Sequence, residues 1–177
     1  MPKIYLALYK GRKSGIGIGA LTARLQDWLV RRATGGIYSH CEIAVLDEIN
    51  QYPAHIVQSD GGPAPIMYAC FSASARDGGV RAKIMPLPSE KWDLIELPTT
   101  ILRYLYADYM GTHGSGYDWL GILSFPLGRY SACFQRRGKW FCSEWCAYVL
   151  DYAEPWRLSP GSLAARLVAS SKHKHKQ

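Results

Sequence analysis

Cys142 opens the apolar, helix-forming run Cys142-Ser143-Glu144-Trp145-Cys146-Ala147-Tyr148-Val149, directly after the aromatic segment Trp140-Phe141. A thiol at the first turn of a helix meets N–H groups with no intrahelical acceptor and the positive end of the macrodipole, and both favour thiolate. The same N–H groups can bind an oxyanion. A second chemical signal lies about a hundred residues earlier, in Ser39-His40-Cys41-Glu42-Ile43-Ala44-Val45. Strand alternation puts His40, Glu42 and Ala44 on one face and Cys41, Ile43 and Val45 on the other. Polar groups on such an apolar strand are costly unless they find partners. A cysteine at a helix start beside a strand that bears histidine is a nucleophile–base pair suited to acyl transfer.

Two other motifs are weaker. Cys142 and Cys146 share a helix face at i, i+4, but a closed zinc site needs two further ligands and no second tight pair exists, so neither metal nor cofactor is expected. Gly15-Ile16-Gly17-Ile18-Gly19-Ala20 fits a dinucleotide fingerprint only formally, because the second parallel strand and its terminal acid are missing. It reads as a loop beside a substrate cleft.

The elements that must carry these residues are legible in outline. Strands are expected at 3–9, 37–46, 54–59, 79–85 and 92–97, with the second and third forming a hairpin. Helices are expected at 20–32, 99–110, 117–125, 143–152 and 160–170, the first stopped by Gly35-Gly36 and the last opened by Ser159-Pro160. Trp28, Trp92, Trp140, Trp145 and Trp156 read as core. The segments 10–19 and 60–75 read as long loops bordering the cleft. The layout is α+β, a small antiparallel sheet flanked by helices, in one domain over residues 1–171 with a basic, disordered tail at 172–177.

The chain has 177 residues, 48% hydrophobic and 20% charged, with a net charge of +7. This composition excludes disordered, collagenous and coiled-coil classes. No apolar run approaches the ~18 residues that span a bilayer, and no signal segment is recognised, so synthesis and residence in the cytoplasm are expected unless lysis or injection releases the protein. The odd number of cysteines, 5 in all, points to reduced thiols. The charge favours an anionic partner, and with the aromatic content it leaves open a rival reading as a non-catalytic module for nucleic acid or another anionic polymer, although no nucleic-acid motif is present. The oligomeric state is left open.

In their order along the chain, Tyr38–Val45, Ala54–Ser59, Tyr117-Asp118-Trp119-Leu120-Gly121, Trp140–Glu144 and Leu158-Ser159-Pro160 resemble the circularly permuted papain-like hydrolases, a branch of the NlpC-type cell-wall peptidase superfamily. The resemblance covers most of residues 36–165. It implies a permuted papain-like fold, Cys142 as nucleophile, His40 as base and Tyr117 near the active site with an oxyanion role. It also implies a peptide or amide substrate, with bacterial cell-wall peptides the natural class, in a protein of phage or toxin type. The family's third position falls on Gln58, whereas this chain also offers Glu42 beside His40. Glu42 ranks first because its charge would stabilise an imidazolium, which Gln58 could only orient. Lipid acyltransferases and thioesterases of the same fold class are the nearest alternative.

Overall fold

The computed structural model describes residues 2–11, 17–46, 65–125 and 137–174. The elements in chain order are β1 (Lys3–Tyr9), α1 (Ile18–Thr34), β2 (His40–Leu46), β3 (Met67–Ser74), β4 (Gly79–Pro86), β5 (Trp92–Leu97), α2 (Leu102–Thr112), β6 (Gly116–Tyr117), α3 (Trp119–Leu123), β7 (Lys139–Trp140), α4 (Cys142–Val149) and α5 (Pro160–Lys174). The fold is α+β. Among the described residues, the strands form one sheet in the order β5-β1-β2-β3-β4-β6-β7. All its pairings are antiparallel except that of β6 with β7.

Strand alternation divides the core in two. Ile4, Leu6, Leu8, Cys41, Ile43 and Val45 pack with Trp145, Cys146 and Leu163 from α4 and α5. Ala7, Tyr9, Ala44, Tyr68, Cys70 and Trp92 line the other face. α4 and α5 therefore cover the Cys41 side of β2, while His40 and Glu42 belong to the opposite side. α4 is buried along most of its length, its apolar residues together with Ser143 and Glu144; Trp145 is fully buried and its indole N–H donates to Thr112 Oγ1 at 2.8 Å.

Three features depart from the sequence-based expectation. Residues 67–74 are a central strand, so only part of the expected 60–75 loop remains, and β2 pairs with β1 and β3. The expected hairpin partner at 54–59 lies outside the described residues, as does the glycine-rich stretch 12–16. Trp28 is exposed, whereas Trp92 and Trp145 are core. α5 continues to Lys174, beyond the expected stop at Ser170 and into the basic tail.

Gly79 makes possible the join between β4 and β6. Its φ is 156°, and a Cβ there would lie 1.7 Å from the Ser115 carbonyl oxygen. α1 ends, as its glycines imply, at Gly35 in the left-handed region with φ 63°.

Candidate active site

α4 lies on the Cys41 face of β2, and its first residue, Cys142, meets the end of that strand. His40 is the first residue of β2, so the Cys142 sulfur sits close enough to the imidazole of His40 and the thiol of Cys41 for both to act on its charge. Cys146, one turn further along α4, donates to the Cys41 carbonyl oxygen at 3.7 Å and ties the helix to the strand. Cys142 is fully buried, and the hydrogen bond from Cys41 is the largest influence on its thiol. Burial opposes that influence and His40 reinforces it, and the outcome is a thiol held well below its ordinary range.

His40 Nε2 lies 3.0 Å from Glu42 Oε1. That contact leaves Nδ1 as the ring nitrogen for the sulfur. Burial alone would push the imidazole down, but the Cys142 sulfur and Glu42 override it and lift His40 to about 10. Glu42 is buried, and Arg81 grips its carboxylate with both terminal nitrogens, Nη1 to Oε2 and Nη2 to Oε1, each at 2.9 Å. Burial favours the neutral acid here. The hydrogen bonds from His40 and Arg81 prevail and hold Glu42 down at about 2. Arg81 is itself fixed by Asp77 at 2.9 Å and by the Cys70 carbonyl at 3.2 Å. The result is a chain of alternating charge, Cys142–His40–Glu42–Arg81–Asp77, in which every buried charge has a partner.

The sheet register builds this chain. β1 sets Tyr9 beside His40 on one side and Trp92 on the other. The Trp92 ring stands edge-on to His40 at 6.4 Å and packs on Tyr9 at 5.1 Å. On β4, Arg81 pairs with Ser72, a small residue whose hydroxyl donates to the Cys41 carbonyl at 2.7 Å. A bulkier side chain at that position would stand between Arg81 and Glu42.

A cavity of about 350 Å3 opens onto this face, lined by Tyr9, Asp27, His40, Arg76, Trp92 and Trp119, among others. Asp27, on α1, lies near Ser39, while its Oδ2 is buried without a partner. Burial raises its carboxyl. Tyr117 also lines the cavity, 5.0 Å from the Trp119 ring and close enough to Cys142 to feel its charge. Burial, then that neighbouring charge, raises its phenol well above the usual range. Asp118 caps α3 through Gly121 N–H at 3.0 Å; a Cβ on Gly121 would come within 2.8 Å of the capping carboxylate.

The structure thus brings together Cys142, His40 and Glu42, with Tyr117 beside them. Gln58 lies outside the described residues. Arg81, Asp77, Asp27 and the Cys41 thiol went unread in the sequence. A signal for Arg81 existed: a glutamate on a buried strand demands a cation, and Arg81, Lys83 and Met85 repeat at strand period on β4 and reach the cavity together. No family model, curated protein or solved structure matches this chain.

Proposed function

We propose that the protein is a cysteine hydrolase acting on amide or peptide bonds. The observation that carries this reading is the contact of a helix-start thiol with a histidine whose other ring nitrogen is anchored by a clamped, ionised glutamate. The Cys142 thiolate attacks the carbonyl carbon, and we assign the N–H groups of the first turn of α4 and the Tyr117 hydroxyl as donors to the developing oxyanion. His40 gives its proton to the leaving amine. It then takes a proton from the water that hydrolyses the acyl-enzyme, and collapse of the intermediate expels the sulfur, returning the thiolate–imidazolium pair. Glu42 holds the ring by Nε2 and balances the imidazolium, and Arg81 keeps Glu42 ionised so that the proton stays on histidine.

The sulfur is buried, and His40, its partner, is the member of the pair that lines the cavity. The resemblance to the NlpC-type peptidases supports cell-wall peptides as the substrate class, with lysis or injection delivering the enzyme. Turnover of short cell-wall peptides by the purified protein, followed by mass spectrometry of the released amines, tests the reading. The expected result is cleavage that disappears in Cys142→Ala and His40→Ala. Undiminished cleavage in Cys142→Ala would overturn it.

A further inference from the structure

α1 carries an apolar stripe that faces away from the protein. Ile18, Leu21, Leu25 and Trp28 recur at the i, i+3, i+7 spacing of one helix face, and they are 85%, 66%, 55% and 57% exposed. The buried side of the helix is made instead of small or short groups, Ala23, Val30 and Thr34. An amphipathic helix normally turns its large apolar residues inward, and four of them left outward on a 17-residue helix mark a surface made to be covered.

The charge around the stripe identifies the cover. Arg32 lies within the same angular sector of the helix, while the sole acid of α1, Asp27, is turned into the cavity. The whole chain carries +7. Leucine, isoleucine and tryptophan on one face, edged by arginine, match a helix that lies in the plane of a bilayer interface, with apolar groups among the acyl chains and guanidinium groups at the phosphates. Among the described residues no helix is long and apolar enough to cross a membrane, so attachment would be to the surface.

We propose that α1 docks the protein on an anionic lipid surface through Ile18, Leu21, Leu25 and Trp28. At about 1.5 Å per residue the helix lies about 25 Å along the interface. Its other side, through Gln26, Asp27 and Val30, forms a wall of the active-site cavity, so docking brings that cavity to the bilayer.

Flotation of the full chain with two kinds of vesicle tests this, phosphatidylcholine alone and phosphatidylcholine mixed with phosphatidylglycerol. The wild type is expected to float with the phosphatidylglycerol vesicles only, and to be released by high salt. Leu25→Ser with Trp28→Ser, whose side chains are more than half exposed, should keep the native circular dichroism and bind at least about tenfold more weakly. Arg32→Glu, which alters charge without touching the apolar stripe, should also weaken binding. Failure of the wild type to bind phosphatidylglycerol vesicles, or equal binding by the double variant, would overturn the proposal. So would a concentration-dependent dimer in light scattering that the double variant abolishes, since a second copy would then be the occupant of the stripe.

Discussion

At the residue scale the account rests on paired charges in a buried place. His40 keeps its proton up to about pH 10, and Cys142 is held well below the ordinary thiol range, so both shifts favour the ion pair. Turnover should therefore hold through the neutral range and fall as pH rises through about 10, where the imidazolium that protonates the leaving amine is lost. A pH profile of kcat/KM checks this limb. Glu42→Gln should slow turnover by roughly 10- to 1000-fold, less than His40→Ala, because the isostere can still orient the ring but cannot balance its charge. Arg81→Gln should leave His40 as the remaining cationic partner of the buried Glu42 and shift the acid limb upward, with Arg81→Lys intermediate. Superimposable limbs in all three proteins would remove Arg81 from the positioning chain. The sequence made Cys142 and His40 legible through a helix start and a strand period. It could not show Arg81, because the link from Glu42 to a residue 39 positions away exists only through the register of β2, β3 and β4.

At the element scale, β3 shows where sequence reading stops. Met67–Ser74 contains alanine, serine and cysteine at most positions, a weak strand pattern, and it is buried on both faces, so no alternation announces it. Sheet neighbours on both sides make it a strand. By contrast β1 and β5 are rich in large branched and aromatic residues, and strands are expected there from the sequence. The opposite lesson comes from α1, whose period was correctly legible while the direction of its apolar stripe was not: periodicity defines a face and says nothing of what covers it. The joint between β4 and β6 yields a sharper prediction. Gly79→Ala drives a methyl group into the Ser115 carbonyl, so either the pairing opens or the backbone shifts. A loss of about 2 kcal/mol or more is expected in denaturant unfolding, within the range of severe backbone clashes. A midpoint equal to that of the wild type would show that this close approach is not made in solution.

At the scale of the whole molecule, the buried charge chain couples folding to pH. Glu42 sits at about 2 in the folded protein against an ordinary 4.5, so its contribution is complete above about pH 4.5 and is lost as pH falls toward 2. That contribution is on the order of 3 kcal/mol. Glu42→Gln should therefore show a flatter acid limb of stability than the wild type in urea melts between pH 5 and about 2. The same chain carries the chemistry, and one reaction interrogates it most directly. Alkylation by iodoacetamide near pH 6, with each cysteine followed by peptide mass mapping, separates an activated thiol from an inert one. The account predicts that Cys142 is modified far faster than Cys41, Cys70, Cys133 and Cys146, and that His40→Ala abolishes the difference. Uniformly slow labelling of all five thiols, unchanged by His40→Ala, would contradict it.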